Sequence, residues 1–202
     1  MRLRFSIALL GFASMAAAGM VYDNGSPNLL GGDDISAYDV AEDFTLTHGA
    51  SIMGVRFWSL GGTQTGQVRV RIMNADDSGP GGQIFTANLD DDASNTGRSL
   101  YGFNELDHTL EIASSVHLNA GHYYLMLDSD PSLNYQQTGV YWESANANST
   151  PPGVRRYHGA GLYTPTNEEH AFQVFGLADP VPEPASLTAL GLAALALIRR
   201  RK

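Results

Sequence analysis

At 202 residues the chain is long enough for one domain with a sizeable core, and its 12 basic against 21 acidic side chains give a formal net charge of −9, which disfavours nucleic acid as a partner. It contains no cysteine, which excludes disulfides, thiolate metal sites and a cysteine nucleophile.

The elements in chain order begin with an export signature. Met1-Arg2-Leu3-Arg4 is a short basic start, Phe5 to Ala18 is apolar apart from Ser6, Gly11 and Ser14, and Ala16-Ala17-Ala18 supplies small residues for a signal peptidase. The expected domain plan is therefore a signal peptide over residues 1–18, a secreted domain over 19–180 and a C-terminal sorting segment over 181–202. The central part carries six arginines, no lysine and twenty carboxylates, a net charge of −14. Such a surface repels anionic lipid as well as nucleic acid, and it can collect divalent cations.

Residues 20–34, rich in Gly, Asn, Pro and Asp, read as a loop or N-terminal arm, with ordered packing from about Tyr38. Phe44-Thr45-Leu46 is a short strand. Ile52 to Trp58 follows as a second, with Met53, Val55 and Phe57 on one face and Gly54, Arg56 and Trp58 on the other. The cleanest alternation runs from Gln67 to Met73, where Val68, Val70 and Ile72 oppose Gln67, Arg69 and Arg71. After the turn residues 74–82 comes a short strand over Gln83 to Ala87, then a polar loop from Asp90 to Gly97. Leu100 to Phe103, Leu106 to Ile112 and His122 to Asp128 read as strands, the last placing Tyr123, Leu125 and Leu127 against Tyr124, Met126 and Asp128. Gly139 to Glu143 and His170 to Phe175 are strands on either side of a long polar segment, 144–167. About nine short strands and no helical periodicity predict an all-β domain, an antiparallel β-sandwich or jelly roll.

The chain closes on Val181-Pro182-Glu183-Pro184, an apolar run from Ala185 to Ile198, and Arg199-Arg200-Arg201-Lys202. Fourteen residues make a helix of roughly 21 Å, short of the ~30 Å hydrocarbon core, and the basic end stays cytoplasmic. This short hydrophobic helix suits a temporary membrane handle better than a lasting anchor. The three parts in this order resemble the PEP-CTERM sorting signal, a tail also catalogued as the C-terminal domain of some ice-binding proteins. The resemblance implies export across the inner membrane of a Gram-negative, exopolysaccharide-producing bacterium. It also implies recognition by an exosortase through Val181, Pro182, Glu183, Pro184, Arg199, Arg200 and Arg201, with the membrane engaged transiently and the product at the cell surface or in the extracellular matrix. The ice-binding label belongs to the tail and not to the domain. Within the domain, Asp43-Phe44-Thr45-Leu46 followed by residues 52–58, Gly79-Pro80-Gly81, residues 118–125, Tyr141-Trp142-Glu143 and Ala171 to Gly176 are similar to a recurring set of exported β-sandwich proteins.

Candidate ligand-binding residues are few. Trp58, Tyr124, Tyr141 and Trp142 cannot all face one core, so they are candidates for an exposed aromatic platform on which a sugar ring stacks, against the plainer reading that they fill the sandwich. Asp76, Asp77, Asp128 and Asp130 are candidate ligands of a structural Ca²⁺, although their spacing matches no EF-hand and solvated turn carboxylates are the simpler reading. No other cofactor is expected. His48, His108, His117, His122, His158 and His170 show no metal-binding spacing and read as surface or turn histidines. No Gly-x-Ser-x-Gly elbow is present, and Glu105, Glu111 and Glu143 are carboxylates without a defined separation, so no catalytic residue is assigned. The expectation is a non-enzymatic surface or matrix protein that binds extracellular polysaccharide. The alternatives are a structural matrix protein without a specific ligand and, less favoured, a carbohydrate-active hydrolase.

Overall fold

A computed structural model describes residues 18–62, 65–129, 139–146, 153–158 and 161–180. Residues 1–17 of the signal-peptide segment, the sorting tail 181–202 and Asp130 lie outside them. The described residues form fourteen strands and no helix: β1 (Gly19–Asp23), β2 (Pro27–Asp34), β3 (Tyr38–Leu46), β4 (Ala50–Leu60), β5 (Thr65–Asp76), β6 (Gly79–Asp92), β7 (Ser94–Leu100), β8 (Phe103–Leu118), β9 (Gly121–Asp128), β10 (Tyr141–Ala145), β11 (Val154–Tyr157), β12 (Thr164–Pro165), β13 (Glu169–His170) and β14 (Phe172–Ala178). They make two antiparallel sheets. The first is centred on β4, flanked by β8 and β7 on one side and by β14 and β10 on the other, with β1 outside β14 and β2 and β13 on β10. The second has the order β12-β11-β3-β9-β5-β6.

Alternation explains how the sheets meet. Val68, Val70 and Ile72 of β5, with Leu125 and Leu127 of β9 and Phe44 of β3, pack against Val55 and Phe57 of β4, Leu110 of β8 and Phe172 and Val174 of β14. An antiparallel sandwich core of this kind follows from period-2 apolar faces that can be buried only against each other. Arg69 and Arg71 point away from it, as the alternation predicts. β9 departs from a simple half-buried strand because its outer face is covered too. Tyr124 and Met126 join Ala41, Met73 and Val154 in a second small cluster.

Four expectations are corrected. Residues 20–34 are not an arm: β1 pairs with β14 and β2 with β10, so packing starts at Gly19 and not near Tyr38. In β4 the register shifts between Ile52 and Gly54, a bulge that puts Ile52 into the core and leaves Met53 half-exposed, the reverse of the predicted face. Asp90 to Gly97 belongs to β6 and β7 rather than to a loop, and the polar segment 144–167 contributes β11 and β12. In the three loop-like segments tertiary pairing overrides a local sequence rich in turn formers, and in β4 it overrides an apparently regular alternation.

One global feature positions everything that follows. Gly19 sits opposite Gly176, and both Ala178 and Leu118 sit opposite Ala50. At the other end of β4, Leu60 sits opposite Glu105 and Tyr141. The two ends of the described domain therefore leave from one pole of the first sheet, and the opposite pole lies roughly 33 Å away along β4 at 3.3 Å per residue.

Candidate functional site

The four aromatics singled out in the sequence do not form one platform. Trp142 is fully buried between the sheets, at 0% exposure, edge-on to Phe57 and Phe172, and its Nε1 donates to the Ala171 carbonyl at 2.9 Å. Trp58 lies on the opposite face of the same sheet but is covered, clustered with Ala145 and Ala171, with the Arg56 guanidinium 4.8 Å from its ring centre. Tyr124 is buried on the outside of the second sheet. Only Tyr141 remains at a solvent-accessible position, because neighbours in a strand face opposite ways and Trp142 takes the core side.

Tyr141 instead belongs to a constellation at the far pole. Its ring lies 5.5 Å from that of Phe103, a residue 41% exposed at the start of β8. Between β7 and β8 the register Leu100↔Phe103 leaves the two-residue turn Tyr101-Gly102, with φ of 51° and 84°. Positive φ at both positions is the hairpin turn whose twist matches the flanking strands. It holds Tyr101 out in solvent at 84% exposure. Next to this tip is a groove of about 530 Å³ lined by Gly61, Gly62, Gly102, Gly139, Asn95, Asn104, Phe103 and Leu106. Its floor requires glycine: a Cβ on Gly61 would lie 2.4 Å from the Gly139 carbonyl oxygen and 2.9 Å from the Phe103 ring. The Gly61 N–H donates to the Asn104 carbonyl at 2.9 Å, tying the end of β4 to the start of β8. Aromatic edges, side-chain amides and exposed backbone thus converge on one concave surface.

The proposed calcium ligands are dispersed. Asp76 is at the β5–β6 turn, where its carboxylate accepts from the backbone and hydroxyl of Ser78, while Asp128 lies opposite Arg69, seven residues back along β5. Asp39, Asp128 and His158 do offer atoms close enough to hold an ion. Arginines already occupy that place: Arg71 pairs with both carboxylates, Arg69 with Asp128 and Arg156 with Asp39. Three guanidinium groups supply the charge a cation would bring, so these residues do not suit a metal.

Two histidines read as surface residues are core residues. His170 is fully buried, its Nδ1 2.7 Å from Glu42 and its Nε2 3.0 Å from Asp33, which also pairs with Arg155. Burial alone would depress its pKa, but the hydrogen bonds to Asp33 and Glu42 outweigh this and lift it to about 9. Desolvation pushes Glu42 the other way from a normal carboxyl, up to about 7. The cluster clasps β2 and β13 of one sheet to β3 and β11 of the other. His108 is the second: Nε2 lies 2.7 Å from Ser59 Oγ and Nδ1 2.6 Å from Asp91. This has the connectivity of a hydrolytic triad. Its setting differs, since Ser59 is 0% exposed and its hydroxyl donates to the Gly61 carbonyl at 3.0 Å. A single hydroxyl proton cannot serve both neighbours, so Ser59 is an acceptor for His108 and the relay ties β4 and β8 to β6.

Glu105 and Glu143 come together where sequence spacing could not place them. They lie close enough to act on each other's titration. Arg98 and Thr96 bond Glu105, and the Leu29 N–H donates to Glu143 at 2.6 Å. Burial, then the neighbouring Glu105, raises Glu143 to about 7, while Glu105, despite its own burial, is held low by Arg98 and Thr96. Glu105 is engaged by Arg98 and Thr96, so the pair does not present the two free carboxyls that glycoside hydrolysis uses.

Residues 180–202 match the PEP-CTERM protein-sorting motif. The chain carries a PEP-CTERM sorting signal. No curated protein and no solved structure matches the chain. The PEP-CTERM signal marks an exported protein sorted to the cell surface of a Gram-negative bacterium, with exosortase as its processing partner. The motif begins two residues beyond the end of β14, and so at the pole opposite the glycine-floored groove.

Proposed function

We propose that this protein is a surface-sorted, non-enzymatic saccharide-binding domain that holds extracellular polysaccharide in the groove bordered by Phe103, Tyr141, Asn95 and Asn104. The observation that carries the reading is the convergence of exposed aromatic rings, amide side chains and bare glycine backbone on one concave surface. Sugars present apolar C–H faces beside hydroxyls, and such a lining answers both. Its position supports the same reading, because the sorting tail leaves from the other pole and the groove would face away from the membrane during processing. The buried Ser59 and the engagement of Glu105 by Arg98 and Thr96 argue against hydrolysis. Export would run through signal-peptidase cleavage near Ala18, then transient membrane engagement and removal of the tail near Pro184, which the mass of the surface form tests directly.

The binding test is a glycan array, with the host's own exopolysaccharide included, probed with the exported protein. Retention should be lost on Phe103→Ala or Tyr141→Ala, with the far-ultraviolet spectrum unchanged. Retention of no saccharide, or retention indifferent to both changes, would overturn the proposal and favour a structural matrix protein without a specific ligand.

A further inference from the structure

The two edges of the second sheet differ sharply. One is β12, two residues long and ending in Pro165, which has little to offer another strand. The other is β6, fourteen residues long, which among the described residues pairs with β5 alone. Its ends carry familiar protection: a register shift at Ile84, between Gln83 and Phe85, and the acidic run Asp90-Asp91-Asp92. Between them, Phe85-Thr86-Ala87-Asn88-Leu89 has neither charge nor proline. Phe85, Ala87 and Leu89 face the core yet remain half-exposed, and Thr86 and Asn88 are exposed. A row of backbone N–H and C=O groups at this edge therefore has no strand to pair with among the described residues.

We propose that β6 pairs antiparallel with β6 of a second copy, about a two-fold axis at Ala87, joining two second sheets into one continuous sheet. The segment is self-complementary in that register. Phe85 meets Leu89 of the copy on the core side and Thr86 meets Asn88 on the outer side, each pairing occurring twice, while Ala87 meets Ala87 once, on the axis. Asp90, Asp91 and Asp92 fall opposite Ile84, Gln83 and Gly82, so no carboxylate faces another. Charge restricts where a copy can approach. A domain of net charge −14 repels its own copy over most of its surface, and this uncharged stretch is where an identical chain can approach. The side-chain faces are preserved, because positions that pair across the axis share parity along the strand.

Three variants of the exported protein test this. Sedimentation should give the mass of two chains at high protein concentration. Thr86→Asp combined with Asn88→Asp, at two exposed positions, sets like charges opposite each other twice and should weaken association by about tenfold. The chain has no cysteine, so Ala87→Cys gives a single reporter. Residues directly opposite in an antiparallel pair lie ~4.5–5.5 Å apart, within disulfide reach, and mild oxidation should cross-link the copies. Asn119→Cys, exposed beyond the end of β8, should not cross-link. A monomer at the highest soluble concentration would overturn the proposal. So would a dimer indifferent to the paired aspartates, or one in which Ala87→Cys cross-links no faster than Asn119→Cys.

Discussion

Among the six arginines of the domain, each is paired with at least one carboxylate: Arg56 with Asp107, Arg69 and Arg71 with Asp128, Arg98 with Glu105, Arg155 with Asp33 and Arg156 with Asp39. With no lysine and no disulfide, these pairs and the buried histidines are the polar fastenings available. His170 is the most consequential, since it stands between two buried carboxylates from different sheets. Its removal leaves Glu42 and Asp33 without their shared donor, and breaking a buried ionic cluster this way costs about 3–5 kcal/mol. We expect His170→Ala to lower the unfolding free energy obtained from urea titration by that much without changing saccharide retention, because the clasp does not line the groove. A loss under about 1 kcal/mol would mean that water replaces the imidazole without penalty.

At the scale of the element, the β7–β8 hairpin shows a conflict between stability and display. An L-residue with a side chain pays roughly 1–2 kcal/mol in the left-handed region, and asparagine tolerates it best. Yet the turn position with φ of 51° is held by Tyr101, a large ring exposed beside the groove. Such strain at an exposed aromatic is expected where the ring meets a ligand. Tyr101→Asn should therefore raise stability by about 0.5–1 kcal/mol in thermal unfolding while weakening saccharide retention. A stabilised variant with undiminished retention would remove Tyr101 from the binding surface. The β4 bulge carries a similar lesson. It redirects Met53 outward and Ile52 inward, and nothing in the alternating run 52–58 announces it. A bulge is set by the partner strand, here β8, whose own sequence gives no hint of the offset.

For the whole molecule, the shifted groups set a pH dependence with a definite sign. Glu143 and Glu42 have folded pKa values of about 7 against an ordinary 4.5, so the folded chain holds their protons more tightly. The stability this represents is present in full below pH 4.5 and is lost as pH rises to 7. His170, raised from 6.5 to about 9, continues the loss through pH 9. Asp33, Asp39 and Glu105 are lowered: burial works against each, but His170 and Arg155, His158 and Arg71, and Arg98 and Thr96 respectively prevail. Their contribution is present above the ordinary carboxylate range and disappears as pH falls through the lowered values. Growing negative charge adds to the loss at high pH. The melting temperature should thus peak on the acid side of neutrality and decline steadily from there to pH 9. A maximum at pH 8 or above would contradict the assigned protonation of Glu143 and His170.

Much of this plan was legible in the chain itself. The sorting tail is linear chemistry, a Pro-Glu-Pro hinge, a short apolar run and a basic end, read without a fold. The sandwich class and the inward faces of β5 and β9 were equally plain, because period-2 alternation is a local property of neighbouring side chains. What surrounds each residue was not. Trp58, Tyr124 and Trp142 are buried on three different surfaces, and Tyr141 of β10 converges with Phe103, Asn95 and Asn104 of the β7–β8 hairpin, about forty residues earlier in the sequence. Ser59 meets His108 and Asp91, and Glu105 meets Glu143, only through strand register. Sequence by itself determined the destination of the protein and its class of fold, since both depend on composition and local period. Tertiary structure alone decided which pole faces away from the tail and which side chains share a site, because pairing between distant strands is paid for by burial and not encoded in any local stretch.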